Sequence, residues 1–478
     1  MDIKNKNYRW KICSLLFFAT AINYLDRQVL SLTWSDFIAP EFHWTNNDYG
    51  NITALFSIFY AISLLFAGRF VDWMDTKKGF LWAIGIWSIG ACLHAYCGIA
   101  TAGIITGNWF VGFEEAKEII ATVNDTGMVI NVSVTLFIFA RFVLAVGEAG
   151  NFPAAIKATA EYFPKKDRAL STSIFNAGAT IGALAAPISI PFIARAFGWE
   201  MAFIIIGALG FVWMGFWVFM YEKPEKHPKV TAAELAYIQQ DDIADSKLEG
   251  YVPENNFKIS LMQCFKYKQT WAFAFGKFMT DGVWWFFLFW TPAYLSSVYK
   301  MDSTQAALPL FVLYMITLLS IIGGWLPTYF VEKKGMDPYA GRMRSMLIFA
   351  FFPLLALIAQ PLGHFTYWIP VIIIGIAGAA HQAWSANIFT TVGDMFPKKA
   401  IATIVGIGGL AGGIGSTIIN KGSGMLFDYS KETDMLFMGF KGIEAGYFII
   451  FSICALCYLI GWTVMKLLVP KYSPIQDL

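Results

Sequence analysis

Most of this chain consists of long apolar runs separated by short polar intervals. Each run reaches the roughly 20 residues that a helix needs to cross the hydrocarbon core of a bilayer. Backbone groups in lipid must bond within their own segment, which favours helix. The pattern therefore predicts an all-α membrane protein. Twelve transmembrane helices, called spans 1 to 12 below, are predicted near residues 11–34, 49–71, 79–106, 132–156, 170–194, 201–221, 269–297, 304–331, 345–361, 366–391, 401–420 and 445–468.

Two sequence elements occur once in each half of the chain. A Phe-Pro-Lys-Lys motif at 163–166, between spans 4 and 5, recurs at 396–399, between spans 10 and 11. A segment running from a glycine to a Lys-Lys pair follows span 2 at 68–78 and span 8 at 324–334. Internal duplication with a binding site between the halves is typical of transporters. The repeat predicts two six-helix bundles with pseudo-twofold symmetry: an N-terminal bundle 1–222, a cytoplasmic linker 223–268 and a C-terminal bundle 269–478.

Composition and charge agree with a membrane location. Charged residues make up 14% of the chain and hydrophobic residues 57%, whereas soluble proteins carry roughly 25% charged residues. Lysine and arginine concentrate in the N-terminal tail, the even-numbered loops and the C-terminal tail, which predicts that both termini are cytoplasmic. We expect a monomeric, multi-pass protein of the plasma membrane, such as a bacterial inner membrane. None of the six cysteines has a metal-ligand constellation around it, and we expect no enzyme activity, metal, cofactor or nucleic-acid partner.

Nearly all the polarity inside the membrane falls on spans 1, 4, 7 and 10. A charge at such a depth costs about 2.5–3.5 kcal/mol on insertion scales unless it is paired or faces water. The charges on spans 1, 4 and 7 sum to zero, which predicts that they pair around a water-lined cavity. They are Asp26 and Arg27, Arg141 and Glu148, and Lys277 and Asp281.

Spacing separates these charges into two kinds. Lys277 and Asp281 stand one helical turn apart and can pair with each other, so a purely structural role is open for them. The four charges of spans 1 and 4 have no such partner on their own helix. Arg141 and Glu148, seven residues apart, share one helix face. For these four we favour a functional role over a structural ion pair.

The residue types indicate how such a site could work. An arginine presents a permanently charged fork that fits a carboxylate. A carboxyl group beside an arginine in a partly dry cavity is favoured as an anion by the cation and as a neutral acid by desolvation. An anionic ligand changes that balance, so a proton can be coupled to its movement.

Aromatic and glycine-rich segments of the second half allow two interpretations each. Trp284, Trp285 and Trp384 could stack on a sugar ring or simply pack between helices. His381 could be linked to proton transfer or be a satisfied structural histidine. The glycines between 406 and 415 imitate a dinucleotide loop, but no strand precedes them, so we predict close helix packing.

Several of these segments resemble a known family. The stretch 68–72, Gly-Arg-Phe-Val-Asp, with the lysine pair at 77–78, resembles the loop 2–3 signature of the major facilitator superfamily. The stretches 23–27 and 141–153 resemble its anion:cation symporter branch. The tryptophans at 284–285 and the stretch 381–387, His-Gln-Ala-Trp-Ser-Ala-Asn, are similar to its hexuronate transporters, which carry glucuronate and galacturonate.

The resemblance implies a major facilitator fold and a role for each motif residue. Arg27 would hold the substrate carboxylate, Asp26 and Glu148 would take up protons with Arg141 coupling them, and Gly68 and Asp72 would act in gating. The expected substrate-binding set is Arg27, Tyr24, Tyr60, Asn176, Lys277, Trp284, Trp384, Ser385 and Asn387. The chain departs from the family pattern at 75–76, which reads Asp-Thr, and in its long outside loop at 107–131.

The function predicted from the sequence is proton-coupled symport of a small organic anion, a hexuronate or a related sugar acid, by alternating access. A passive or sodium-coupled facilitator of carboxylates is the first alternative. A transporter-like sensor that signals through its linker is the second, and the shortness of that linker argues against it.

Overall fold

The computed structural model describes residues 7–240 and 261–475, and it is almost entirely helical. Within these residues nine helical segments are long and apolar enough to cross a membrane, and a pair bent by 55° makes a tenth. The other two of the twelve spans, 1 and 7, have 26 and 32 residues but carry charged residues near their centres. The twelve-helix prediction is confirmed.

The observed helices extend most of the predicted spans at one or both ends. Spans 3, 4, 8 and 9 are each broken into two helices. The spans are Tyr8–Thr33, Asn46–Met74, Thr76–Ala95 with Cys97–Thr106, Thr126–Glu148 with Asn151–Tyr162, Lys165–Phe197, Trp199–Met220, Lys268–Tyr299, Ala307–Thr317 with Ile322–Lys334, Pro338–Phe351 with Ala356–Gly363, Trp368–Met395, Lys398–Glu432 and Ile443–Leu468.

Shorter elements connect the spans. A π-helical turn, Trp34–Ile38, and a short helix, Ala39–Phe42, follow span 1. The outside loop contains a helix at Phe113–Thr122, called the loop helix, and the linker contains one at Ala232–Ile238, called the linker helix. Leu261–Cys264 precedes span 7, the short 3-10 turns Leu318–Ile321 and Phe352–Leu355 lie within spans 8 and 9, and a hairpin of Leu436–Phe437 with Phe440–Lys441 joins spans 11 and 12.

The two halves repeat in backbone geometry as well as in sequence. Pro164 and Pro397 cap spans 5 and 11 with the same conformation, φ −62° and ψ 156° in the first and φ −61° and ψ 148° in the second. Proline fixes φ near this value and forces the preceding residue to be extended. Gly182 and Gly415, at matching places in the two copies, bring spans 5 and 11 onto spans 1 and 7. A Cβ at Gly182 would lie 2.3 Å from the Ala21 carbonyl oxygen, and a Cβ at Gly415 would lie 2.0 Å from the Phe278 carbonyl oxygen.

One end of the molecule is held together by bonds between the halves. We call it the clamped end, and it comprises residues 34–51, 302–305 and 420–428. The Tyr49 hydroxyl donates to the Phe289 carbonyl at 2.9 Å, and the ring of Tyr49 packs edge-on against Trp290 with centroids 5.0 Å apart. Arg195 donates to the Thr304 hydroxyl at 2.9 Å.

Spans 2 and 11, which meet along this interface, lie against each other at the clamped end. A Cβ at Gly424 would lie 2.5 Å from the Asn46 carbonyl oxygen. Farther along span 11, a Cβ at Gly409 would touch only a methyl group of Leu64, at 3.5 Å, and a Cβ at Gly68 of span 2 would meet no atom within 4 Å. The two spans therefore diverge toward the end that carries the Phe-Pro-Lys-Lys motifs, called the far end.

The start of the predicted linker packs on the N-terminal bundle. Glu234 of the linker helix accepts a hydrogen bond from the Arg9 backbone at 3.0 Å, and the Tyr237 hydroxyl donates to Asp167 at 2.8 Å. His227 lies 3.1 Å from the Met220 carbonyl oxygen. The segment up to the linker helix is thus fixed to the first bundle, and residues 241–260 of the linker lie outside the described residues.

Candidate functional site

The central feature of the site is an ion pair between spans 1 and 4. Arg27 donates through Nε and Nη2 to one carboxylate oxygen of Glu148, at 3.0 and 2.7 Å. Both side chains are buried. Glu148 ends the first helix of span 4. Gly147 beside it allows span 3 to approach closely, because a Cβ at Gly147 would lie 2.3 Å from the backbone nitrogen of Trp87.

Aromatic rings surround the Arg27 guanidinium. Its Cζ lies 4.7 Å from the centroid of Tyr60, 5.0 Å from Trp285, 5.1 Å from Tyr24 and 5.9 Å from Phe56. Such distances are those of cation–π contacts. Trp285 belongs to span 7, so the ring cluster brings the C-terminal half onto an arginine of the N-terminal half.

Asp26 and Arg141 lie close to this pair but bond differently. Each is only 2% exposed. Neither carboxylate oxygen of Asp26 has a hydrogen-bond partner among the described residues, and the same is true of Nη1 of Arg141 and of the free oxygen of Glu148. The side-chain amides of Asn23 and Asn151 are fully buried and also lack partners there. Since buried polar groups are normally bonded, this is the least satisfied polar region of spans 1 and 4.

Span 7 satisfies its charges locally. Lys277 Nζ lies 2.8 Å from Asp281 Oδ2, which is the intrahelical pair that the spacing allows. The ammonium group also lies 4.3 Å from the ring centroid of Phe389. Gly412 makes room for the carboxylate, because a Cβ there would lie 2.2 Å from Oδ2. This contact, with Gly408, Gly413 and Gly415, supports the close packing predicted for the glycine-rich stretch.

Two polar residues of span 10, His381 and Asn387, form hydrogen bonds within the C-terminal half. His381 stacks on Trp284 with centroids 5.3 Å apart, and its Nδ1 lies 2.8 Å from the Tyr458 hydroxyl. Trp384 is fully buried with its ring edge against Tyr458. The Asn387 amide donates to the carbonyl oxygens of Gly323 and Ala383 at 2.9 and 2.8 Å, so both of its N–H groups are used within the protein.

The remaining predicted residues differ in their exposure. Ser385 is half-buried on span 10, and Asn176 is exposed on span 5. Gly68 has open space around it. The side chain of Asp72 is outside the described part of the structure. Within residues 7–240 and 261–475, no three side chains of His, Cys, Asp or Glu come together in a way that could hold a metal ion.

The structure adds contacts that sequence reasoning did not provide. The direct bond between Arg27 and Glu148 was not anticipated, because it joins two helices far apart in sequence. Trp285, rather than its neighbour Trp284, faces Arg27. Phe56 lies near both Arg27 and Arg141. Its position four residues before Tyr60, on the same helix face, was the signal that could have found it.

Comparison of the sequence with known proteins identifies a family. A model described as Major Facilitator Superfamily matches residues 16–419. The chain is 27% identical to the hexuronate transporter of Escherichia coli K12 over 97% of its own length and 95% of that protein. It is 24% identical to the probable galactarate/D-glucarate transporter of the same organism, over 92% and 94%.

A solved structure gives the same fold at lower sequence identity. A bacterial homologue of the human lysosomal transporter Spinster, in an inward-facing, unoccupied conformation, superposes with a TM-score of 0.70 at 16% identity, covering 98% of this chain and all of that one. The resemblance found in the sequence motifs is confirmed. This chain belongs to the Major Facilitator Superfamily and is a membrane transporter.

Proposed function

We propose that this transporter is a proton-coupled symporter of a hexuronate or a related sugar acid. The observation that carries the proposal is the buried bond between Arg27 and Glu148. The relatives named as transporters of hexuronate and of galactarate or glucarate support an acidic sugar as the substrate. A sugar acid has a carboxylate for Arg27 and a ring or chain of C–H groups for the aromatic residues around it.

Competition for Arg27 couples the substrate to a proton. The guanidinium edge formed by Nε and Nη2 is already used by Glu148, and a substrate carboxylate needs such an edge for a strong charge-assisted contact. In the proposed mechanism the substrate carboxylate takes this edge, and Glu148 releases Arg27. Leaving one member of a buried pair alone costs about 3–5 kcal/mol, and a proton on Glu148 removes that charge. Substrate binding and protonation of Glu148 therefore favour each other.

Asp26 provides a second group for the same exchange. It is within electrostatic reach of both Glu148 and Arg141, and no described residue donates a hydrogen bond to it. An ionised carboxylate in such a position is costly. A proton shared between Asp26 and Glu148 would keep the charge of the site balanced while the two halves move.

The aromatic residues supply the surface for the body of the sugar. Tyr24 and Tyr60 come from the N-terminal half, and Trp285 from the C-terminal half, all within about 5 Å of the Arg27 guanidinium. A substrate that stacks on rings from both halves and binds Arg27 through its carboxylate would draw the halves together. That is the requirement for alternating access around a central site.

The distribution of lysine and arginine orients the molecule. With both termini in the cytoplasm, the clamped end faces outward and the far end faces the cytoplasm. The conformation described here is then closed to the outside. In a bacterial cell this orientation suits uptake across the inner membrane, driven by the inward proton gradient.

Uptake by proteoliposomes tests the proposal directly. Purified protein is reconstituted, and a panel of labelled sugar acids is offered under an imposed pH gradient, an imposed sodium gradient or neither. The proposal expects accumulation of a hexuronate or aldarate only with the acidic side outside, with acidification of the lumen. Accumulation driven by sodium, or mere equilibration, would support the facilitator alternatives. Binding without any transport would support a sensor.

A further inference from the structure

The first turn of span 2 is capped by a residue from the other half of the molecule. At a helix start the first backbone N–H groups have no partner within the helix. Thr45 and Asp48 form a capping box that satisfies each other's backbone N–H groups. The box leaves the N–H groups of the first two helical residues, Asn46 and Asn47, without an acceptor in span 2.

Asp428 of span 11 supplies both missing acceptors. Its Oδ1 accepts from the Asn46 backbone nitrogen at 3.0 Å, and its Oδ2 accepts from that of Asn47 at 2.6 Å. The Asn46 side-chain amide adds a third bond to Oδ1 at 2.8 Å. A carboxylate at a helix N-terminus is also favoured by the helix dipole. Span 2 is therefore fully capped only when span 11 lies against it.

A second contact lies two turns earlier on the same face of span 11. Lys421 Nζ lies 2.6 Å from the side-chain oxygen of Asn47 and 2.5 Å from that of Asn51. Lys421 and Asp428 are seven residues apart and share a helix face. Gly424 lies between them, where the backbones of the two spans meet. A Cβ at Gly424 would lie only 2.5 Å from the Asn46 carbonyl oxygen.

We propose that Asp428 and Lys421 form a latch that closes the outer end of the transporter. The inference rests on the proposed function, in which the two halves move apart at this end to admit substrate. Opening must break all five bonds at once and leave the N-terminus of span 2 without its acceptors. The latch thus stabilises the outward-closed state alone and controls how often the site is exposed to the outside.

Distances between spin labels test the latch. Labels are introduced through non-canonical amino acids at Phe197 and Glu432, exposed positions at the ends of spans 5 and 11, in protein reconstituted in nanodiscs. Asp428→Asn keeps the size of the side chain but replaces one acceptor oxygen with a donor. Since hydrogen bonds to charged groups are the stronger ones, we expect the longer-distance, open population to rise roughly tenfold. Lys421→Gln should move it in the same direction by less.

Asp434→Asn is the matched control. Asp434 carries the same charge at the same end but pairs with Lys441 of its own half, at 2.6 Å. If Asp428→Asn and Lys421→Gln leave the distances unchanged, or if Asp434→Asn shifts them equally, the latch is wrong. The labels report the opening of the protein whether or not it carries sugar acids. A chain that opens but transports none of them would therefore overturn the proposed function and leave the latch standing.

Discussion

Spans 1 and 4 of the first half and spans 7 and 10 of the second hold equivalent places in the repeat, yet they neutralise their charges differently. Arg27 and Glu148 pair across two helices, with Asp26 beside them and without a hydrogen-bond partner among the described residues. Lys277 and Asp281 pair within one helix. A pair within one helix is kept when helices shift, whereas a pair between helices depends on their arrangement.

Under the proposed function, this difference gives the two halves separate tasks. The N-terminal half would hold the charges that are exchanged for a substrate carboxylate and a proton. The C-terminal half holds charges that stay balanced and presents the Trp285 ring to Arg27 at 5.0 Å. Its His381 is likewise bonded, to Tyr458 of span 12 at 2.8 Å. Coupling should therefore respond to changes in spans 1 and 4 far more than to changes in spans 7 and 10.

The largest effect is expected from Glu148→Gln. Glutamine fixes the neutral state of the position, so no proton is exchanged there and accumulation driven by a pH gradient should be lost, while counterflow exchange remains. Asp26→Asn should have the same consequence. The measurement is uptake of a labelled sugar acid by proteoliposomes with and without a pH gradient.

The corresponding change in the other half sharpens this result. The double variant Lys277→Gln with Asp281→Asn neutralises the pair of span 7 and should retain accumulation driven by a pH gradient, even if substrate affinity falls. If the double variant loses accumulation and Glu148→Gln retains it, the assignment of tasks to the two halves is reversed.

Arg27→Lys comes next in expected size. The positive charge is kept, but the bidentate edge is lost and the ammonium stacks less well on the surrounding rings. Substrate affinity should fall by about 100-fold, measured by calorimetry or by quenching of tryptophan fluorescence. Lys277→Arg, the opposite exchange in the other half, should change affinity much less. Equal affinity of the Arg27→Lys variant and the parent would show that Arg27 does not bind the carboxylate.

A smaller effect is expected on stability. Because Lys277 and Asp281 satisfy each other at 2.8 Å, replacing either one alone should destabilise the protein more than replacing both. A double-mutant cycle from thermal unfolding in detergent should give a coupling energy of about 1–2 kcal/mol. Additive effects of Lys277→Gln and Asp281→Asn would mean that the pair is not a stable unit of the C-terminal half.

How far the sequence could predict this molecule depends on the range of each interaction. Span number follows from apolar length, and the Lys277–Asp281 pair follows from a spacing of one turn, so both could be predicted. The Arg27–Glu148 bond could not, because it depends on how spans 1 and 4 cross. The loop helix was overlooked within the outside loop, although Ala116 and Ile120, its two buried residues, stand one turn apart.

That loop is a second difference between the halves and gives the smallest effect, a pH dependence outside the membrane. Glu41, beyond the end of span 1, accepts a hydrogen bond from Trp199 at 2.8 Å. Lys117 of the loop helix forms ion pairs with Glu114 of the same helix and with Glu200 at the start of span 6. Burial raises the pKa of Glu41 from its ordinary 4.5 to about 7, although the Trp199 hydrogen bond and the nearby Lys117 act in the opposite direction.

Because the docked state binds this proton more tightly, docking of the loop helix should be strongest below about pH 4.5 and weaken as the pH rises through 7. Hydrogen exchange of residues 113–122 should therefore be several-fold faster at pH 8 than at pH 5, after correction for intrinsic rates. Glu41→Gln should remove this difference. If the Glu41→Gln variant keeps the difference between pH 5 and pH 8, Glu41 is not the group responsible.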